Sequence, residues 1–217
     1  MKVNTDGVLL GASVSLNASD RRILDIGTGT GTIALMIAQR LADMNAEYII
    51  KGIDIDEPST QEARDNFASS PWAASLSAEH HPLATEDEHG WDLIVSNPPF
   101  FDNSLKAPDE RRNAARHDDS LSYREIMEFA SRSLTDEGRL ALILPCDQEK
   151  ELLCYGRSFS LFPFRIIRVR TTARKAPMRL IAEFVKGRCD MREEELVLQE
   201  GNERSAAYKE LTKEFYL

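Results

Sequence analysis

The chain has 217 residues, of which 42% are hydrophobic and 29% are charged, and its formal net charge is −9. This composition is typical of a globular protein, and no apolar run approaches the roughly 20 residues of a membrane-spanning helix. Its cysteines (Cys146, Cys154 and Cys189) are odd in number and contain no C-x-x-C pair, which argues against a disulfide framework or a zinc site.

The apolar pattern predicts one domain over residues 1–217, in which short strands alternate with longer helices. Strands are predicted at 22–26, 48–55, 91–96, 139–144, 165–170 and 180–186, and helices at 30–44, 59–69, 120–134 and near 205–215. Such alternation predicts an α/β fold with a mostly parallel sheet covered on both faces. Three stretches stand outside the pattern: residues 2–10 within the N-terminal segment 1–20, the polar loop 97–119 and the C-terminal tail 187–217.

A glycine-rich turn follows the first predicted strand. The sequence there is Asp25-Ile26-Gly27-Thr28-Gly29-Thr30-Gly31, and a predicted helix begins directly after it. Glycines allow a tight turn and a close approach of the backbone to a ligand. The second predicted strand ends at Asp54-Ile55, where a carboxylate can accept hydrogen bonds from the hydroxyls of a ribose.

Two cofactors are compatible with a glycine turn of this kind. A nicotinamide dinucleotide requires the spacing G-x-G-x-x-G, with its pyrophosphate at the helix N-terminus. Here Thr32 stands at the position of the third glycine, and the acid Asp25 is badly placed for an anionic group. An acid suits a cation instead, and S-adenosylmethionine carries an ammonium and a sulfonium. We therefore expect S-adenosylmethionine as the cofactor and no metal.

A second motif, Asn97-Pro98-Pro99-Phe100, follows the predicted strand 91–96. Two prolines restrict the backbone, so the amide of Asn97 and a neighbouring carbonyl are held in one geometry. Together they can accept both hydrogens of a planar exocyclic amine, which favours the positive charge that grows as its nitrogen attacks a methyl group. Phe100 offers a flat face on which a base can stack. These four residues are the predicted catalytic site.

Basic residues are concentrated in one segment, although the chain as a whole is acidic. Residues 161–188 carry a net charge of +7 and the remainder carries −16. A basic stripe on an acidic body can bind a polyanion locally, although a strand pair with solvated charges gives the same pattern. The predicted contacts to an anionic substrate are Arg112, Arg116, Arg168, Arg170, Arg174 and Lys175.

The glycine turn, Asp54 and the Asn97–Phe100 motif together resemble the class I (Rossmann-like) amino-methyltransferases. Lys2–Ala12 (KVNTDGVLLGA) is similar to the K-V-x-T-D-G-x-L-L-G-A segment of the bacterial tRNA1(Val) (adenine-37-N6)-methyltransferases. Arg112–Arg116 resembles that family's R-x-x-A-R, and Leu211–Leu217 is similar to its C-terminal tails. The resemblance covers essentially the whole chain.

This resemblance implies a Rossmann-like fold with a seven-stranded sheet and an antiparallel C-terminal strand pair. It implies methyl transfer to N6 of adenine 37 in a valine tRNA, in the cytoplasm, by a protein that we expect to be a monomer. The N-terminal segment would act as a lid. The implied cofactor contacts are Thr5, Asp6 and Gly7 at the methionine end, Asp25 at the ammonium, Gly27, Gly29 and Gly31 in the turn, and Asp54 with Ile55 at the ribose. Pro82 stands where the family often has an Asp for the cofactor adenine, and we expect its neighbour His81 to be a rim residue.

Four alternatives stay open at the level of sequence. Glutamine-N5 methyltransferases of proteins share the N-P-P-[YF] motif, and a primary amide presents hydrogens similar to those of adenine. Guanine-N2 methylation of ribosomal RNA is a third activity. A non-catalytic binder of S-adenosylmethionine is disfavoured by the intact Asn97, and a dehydrogenase is disfavoured by the glycine spacing.

Overall fold

A computed structural model of the chain describes residues 5–99 and 121–215. The predicted site residues Phe100, Arg112 and Arg116 lie outside these ranges. The helices are α1 (Thr5–Ser13), α2 (Thr32–Asp43), α3 (Glu57–Ala68), α4 (Tyr123–Ser133), α5 (Glu149–Ser158) and α6 (Ala206–Thr212). The strands are β1 (Arg22–Ile26), β2 (Ile49–Asp54), β3 (Leu76–His80), β4 (Trp91–Ser96), β5 (Leu134–Pro145), β6 (Phe162–Thr172), β7 (Arg179–Val185), β8 (Arg192–Glu200) and β9 (Glu203–Arg204).

The strands of the described chain form one sheet in the order β3-β2-β1-β4-β5-β7-β6-β8-β9. Strands β3, β2, β1, β4 and β5 are parallel to one another, and β7 is antiparallel to both β5 and β6. The predicted α/β class, the mostly parallel sheet and the antiparallel C-terminal pair are thus confirmed. The predicted count of seven strands is wrong, because the tail adds β8, parallel to β6, and the two-residue β9.

Helices cover both faces of the sheet. One core cluster joins α1, α2, α3 and α6 to one face, and the other joins α4 and α5 to the opposite face. The central strands are apolar throughout, so Leu140–Leu144 of β5 is buried on both faces. Continuous apolar runs are typical of strands that are covered on both sides, and this explains why β1, β4 and β5 could be recognised in the sequence.

Helix α1 shows how packing overrides local preference. The sequence TDGVLLGAS contains two glycines, each of which disfavours a helix by about 1 kcal/mol relative to alanine. In the fold, Leu9 and Leu10 are fully buried and the helix packs on α2. A Cβ at Gly11 would lie only 2.9 Å from the sulfur of Met36, so the glycine permits this close approach. Residues 2–10 were expected to lie outside the regular pattern, and for residues 5–10 that expectation was wrong.

Strand β3 and helix α5 were also missed. Strand β3 reads Leu-Ser-Ala-Glu-His, with Ala78 its one buried residue, so it lacks the apolar run of a central strand. It is the edge strand beside β2, and backbone pairing with β2 holds it there. Helix α5 follows the 3-10 turn Cys146–Gln148 at the end of β5 and buries Leu152 against the sheet.

Candidate active site

The candidate site lies where β1, β2 and β4 end side by side. Ile26 of β1 pairs with Ile53 of β2 and with Ser96 of β4, so the next residues of all three strands meet at one edge. The hydroxyl of Ser96 donates a 2.7 Å hydrogen bond to the carbonyl of Ile26. The N–H groups of Gly27 and Thr28 donate to the carbonyl of Ile53 at 2.8 and 3.0 Å. The glycine turn is therefore folded onto β2, as the predicted position of a ligand site requires.

Backbone donors fix the carboxylate of Asp54. The N–H of Gly29 donates to Oδ2 at 2.8 Å, and the N–H of Asp56 donates to Oδ1 at 2.9 Å. Gly29 makes its contact with a φ of +56°, in the left-handed region that glycine enters at little cost. A carboxylate has about four acceptor positions, so lone pairs remain for a ligand in a fixed orientation.

Gly31 shows why the turn requires glycine at its end. Its φ is +78°, and a Cβ at this position would lie 2.3 Å from the ring of Phe67 in α3. Any side chain would push α3 away from the turn. The glycine thus lets α2 begin directly beneath the ligand site, with its first N–H groups directed toward the turn.

A cavity of about 570 Å³ opens at this edge. Its wall is formed by Ile26, Gly27, Ile53, Asp54, Ile55, His81, Pro82, Leu83, Ala84, Asn97, Pro99, Leu121 and Glu125. The wall contains two carboxylates and, among the described residues, no lysine or arginine. The negative charge of the wall favours a cationic ligand and disfavours a pyrophosphate. This agrees with the prediction of S-adenosylmethionine rather than a dinucleotide as the cofactor.

The Asn97-Pro98-Pro99 turn enters this cavity from the end of β4. Asn97 is half-buried, Pro98 is buried and Pro99 is exposed at the rim. Asn97 and Pro99 both belong to the cavity wall, as does Asp54. The structure therefore brings the two motifs that are 43 residues apart in the sequence to one cavity, although their predicted contacts remain predictions.

Asp25 occupies a different environment from Asp54. It is fully buried, and Oδ2 accepts a 2.7 Å hydrogen bond from the hydroxyl of Thr28. Oδ1 has no hydrogen-bond partner among the described residues. Burial raises the pKa of Asp25 to about 7, against the hydrogen bonds from Thr28 and the Ala34 N–H. Because Asp25 is not among the residues of the cavity wall, its predicted contact with the ammonium remains a prediction.

The predicted contacts at the start of α1 also lie outside the cavity wall. Thr5 is exposed and Gly7 is buried. Asp6 accepts a 2.9 Å hydrogen bond from Nε of Arg179, the first residue of β7. Since Arg179 pairs with Pro145 at the carboxyl end of β5, Asp6 lies at the same edge of the sheet as the cavity. Its contact with a cofactor stays a prediction.

Residues after β3 and at the start of α4 complete the cavity wall. His81 lies in it, as expected of a rim residue beside Pro82, whereas Leu83, Ala84, Leu121 and Glu125 were missed in the sequence. His81 follows β3, and its N–H donates to the carbonyl of Asp54 at 2.9 Å. Pro82–Ala84 continue the wall in a short 3-10 turn, and Leu121 and Glu125 complete it from the start of α4. The usable signal was the Ser122–Glu125 capping box, which places the N-terminus of α4 at this edge.

The predicted basic stripe is largely neutralised in the fold by glutamates of β7, β8 and α5. Arg165 contacts Glu194 at 2.8 Å and the buried Glu183 at 2.9 Å. Arg168 contacts Glu149 at 3.0 Å, and Arg170 contacts Glu195 at 2.8 Å. Arg174 and Lys175 differ, since they are exposed and lie within 4.0 Å of no carboxylate of the described chain.

Residues 5–99 and 121–215 contain no helix long and apolar enough to cross a bilayer. Over the same residues, no three His, Cys, Asp or Glu side chains come together as a set of metal ligands.

Several known proteins that are similar to this chain are described as methyltransferases. The family model "Methyltransferase small domain" matches residues 7–153. A Bacteroides fragilis protein named tRNA1(Val) (adenine(37)-N6)-methyltransferase is 40% identical over all of this chain and 91% of its own length. Proteins of the same name from Flavobacterium psychrophilum and Tolumonas auensis are 38% and 36% identical, covering 100% of this chain and 93% and 90% of their own lengths. A predicted O-methyltransferase from Agrobacterium tumefaciens is similar in fold, with a TM-score of 0.74, 16% identity and 95% of each chain covered.

Proposed function

Since the chain belongs to the methyltransferase small domain family and, within it, to the tRNA1(Val) (adenine(37)-N6)-methyltransferases, we propose that it methylates N6 of an adenine in tRNA with S-adenosylmethionine. The proposed target is adenine 37 of a valine tRNA, as in the names of its relatives. A tRNA substrate places the reaction in the cytoplasm, and we propose that a monomer carries it out.

The observation that carries this proposal is the shared cavity of Asp54 and the Asn97-Pro98-Pro99 turn. Asp54 is oriented by two backbone N–H groups and keeps lone pairs for the two hydroxyls of a ribose. Ile53, Ile55, Pro82 and Leu83 provide apolar walls against which an adenine can pack. The residues present therefore fit S-adenosylmethionine, whose charge also matches the acidic wall.

Asn97 is proposed to hold the amine that becomes methylated. Its side-chain oxygen and the carbonyl of Pro98 would accept the two amine hydrogens, which leaves the nitrogen lone pair free to attack. S-adenosylmethionine, when bound, would supply a methyl group on a sulfonium, which leaves as a neutral thioether, and one amine proton would pass to solvent. As positive charge grows on the nitrogen, the two oxygens stabilise it more strongly than they stabilise the neutral amine. Alignment accounts for much of the remaining acceleration, so no nucleophilic side chain is required.

The remaining site predictions enter the proposal in supporting roles. Phe100 would stack on the target base, and Arg112 and Arg116 would contact phosphates. The methionine end of the cofactor would be covered by Thr5, Asp6 and Gly7. The carboxylate of Asp25 would balance the positive charge of the cofactor's ammonium. The target lies in a loop, so the cost of taking its base out of the stack is smaller than in a duplex.

The test uses the purified full chain, methyl-labelled S-adenosylmethionine and bulk tRNA from a strain that lacks the gene. We expect label in RNA, and nuclease digestion followed by mass spectrometry should give N6-methyladenosine. Cellular protein and ribosomal RNA from the same strain are the parallel substrates. Label in protein, or N2-methylguanosine in ribosomal RNA, with none in tRNA would contradict the proposal.

A further inference from the structure

The second half of the sheet presents a charged turn at the same edge as the cavity. Strands β6 and β7 are joined by residues 173–178, and β7 begins at Arg179, which pairs with Pro145 at the carboxyl end of β5. In the sheet order, β7 lies two strands from β4, which carries the Asn97 turn. Neighbouring strands are about 4.8 Å apart, so the turn starts about 10 Å to the side of Asn97.

The charge of this turn is available to a ligand, whereas the charge of the strand that leads into it is not. Arg165, Arg168 and Arg170 of β6 each contact at least one glutamate. Arg174 and Lys175 are exposed and have no carboxylate within 4.0 Å in the described chain. Met178, at the end of the turn, is 54% exposed and adds an apolar surface beside the two cations.

The ion pairs of β6 hold the turn in place. The guanidinium of Arg170 bridges two elements, since one nitrogen donates to Glu195 of β8 and the other to the carbonyl of Lys175, both at 2.8 Å. The N–H of Lys175 in turn donates to the carbonyl of Thr172 at 3.1 Å. Arg170, which the sequence predicted as a phosphate contact, thus stabilises the turn that carries Arg174 and Lys175.

We propose that the β6–β7 turn is the tRNA-docking surface of this protein, with Arg174 and Lys175 contacting phosphates beside the target nucleotide and Arg170 acting as a positioning residue for the turn. This inference rests on the proposed tRNA substrate. The turn lies beside the cavity rather than in it, so its contacts fix the register of the RNA strand without touching the base. Phosphate contacts position a nucleic acid, and their contribution weakens with salt.

The first experiment measures binding of an unmethylated valine tRNA transcript by the full chain as a function of salt, together with the KM for tRNA. For R174Q/K175Q we expect affinity to fall about 10-fold and the slope of log K against log salt to become shallower by about 1.5, the value for two phosphate contacts. Cofactor affinity, measured by calorimetry, stays at the wild-type value.

The matched control is R132Q/R157Q. These two arginines are exposed, lie in the last turns of α4 and α5 at the opposite edge of the sheet, and give the same change in net charge. We expect the control to keep the wild-type slope. Equal slopes in R174Q/K175Q and wild type, or an equal loss in the control, would overturn the docking surface.

The second experiment tests Arg170 as a positioning residue. R170K keeps the charge but loses the planar fork that reaches both Glu195 and Lys175. We expect R170K to raise the KM for tRNA about threefold in the wild-type background. In R174Q/K175Q it should cause no further rise, because the effects of substitutions at interacting residues do not add. An equal rise in both backgrounds would show that Arg170 does not act through the turn.

The two proposals fail in different ways. If the wild-type protein methylates no tRNA, the proposed function is wrong. If it methylates tRNA and the turn variant keeps its KM and salt slope, the docking surface alone is wrong.

Discussion

Charged side chains have opposite surroundings in two regions of the molecule. One region is the cavity at the ends of β1, β2 and β4, and the other is the arginine–glutamate ladder of β6 and β8. In the cavity, the carboxylate of Asp54 is held only by backbone N–H groups and faces open space. In the ladder, Arg165, Arg168 and Arg170 are matched by glutamates that lie 19 to 29 residues away in sequence. A charged residue in the sequence is therefore available for function only where the fold leaves its charge uncompensated.

The largest expected effect is that of Asn97→Ala in the cavity. If Asn97 stabilises the charge that develops on the amine, its loss lowers the methyl-transfer rate at least about 100-fold, as for other preorganised groups of this kind. Cofactor affinity should change little. Single-turnover assays and calorimetry measure the two quantities, and Asn202→Ala on the exposed β8–β9 turn is the control. A wild-type rate in Asn97→Ala would exclude the proposed mechanism.

Asp25 gives the next effect, as a dependence of stability on pH. Its folded pKa is raised to about 7 from 3.8, so between these values the folded state binds more protons than the unfolded state. The free energy of unfolding should therefore fall as the pH rises from about 4 to 7, by on the order of 3 kcal/mol.

Urea unfolding of wild type and Asp25→Asn at several pH values checks this dependence. The difference between the two proteins isolates Asp25 from other titrating groups. We expect the variant to lose the fall in stability between pH 4 and 7. If the free energy of unfolding fell equally with pH in both proteins, the carboxyl group of Asp25 would not be desolvated in the folded chain.

Asp54→Ala should weaken cofactor binding by about 1–3 kcal/mol, the cost of losing charged hydrogen bonds to a ligand. The variant also removes acceptors for the N–H groups of Gly29 and Asp56, so its melting temperature is measured alongside its affinity. Asp43→Ala, at the exposed end of α2, is the control. Unchanged affinity by calorimetry would place the ribose elsewhere in the cavity.

The smallest effect tests the ladder. E193Q/E195Q removes the glutamate that contacts Arg170 and one of the two that contact Arg168, so part of the positive charge of β6 loses its partner. We expect tRNA to bind severalfold more tightly, with a steeper dependence on salt. The control, E128Q/E137Q, changes exposed glutamates of α4 and β5, outside β6 and β8, by the same amount of charge. If both variants bind tRNA equally well, the β8 glutamates do not mask the arginines, and the contrast between ladder and cavity fails.

Much of the candidate site was readable in the sequence because its signals are local. The glycine turn, the acid at the end of β2 and the Asn-Pro-Pro corner each follow an apolar strand within a few residues. Parallel strands bring such ends to one edge, so the gathering of Asp54 and Asn97 followed from strand order. Leu83 and Ala84 were not predictable in the same way, since β3 has almost no apolar pattern of its own, and His81 and Pro82 were placed only through the family resemblance.

The sequence by itself determined the fold class, the cofactor class and the identity of the two motifs, because strand periodicity, glycine conformation and proline restriction act between neighbouring residues. Only the tertiary structure decided that residues 192–200 form a strand, that Asp25 is buried while Asp54 faces the cavity, and that most of the basic stripe is neutralised. The partners in these cases are brought together by the sheet, and Arg170 and Glu195, 25 residues apart, are an example. No local pattern records such a contact, so the free charge of Arg174 and Lys175 became visible only once the strands were paired.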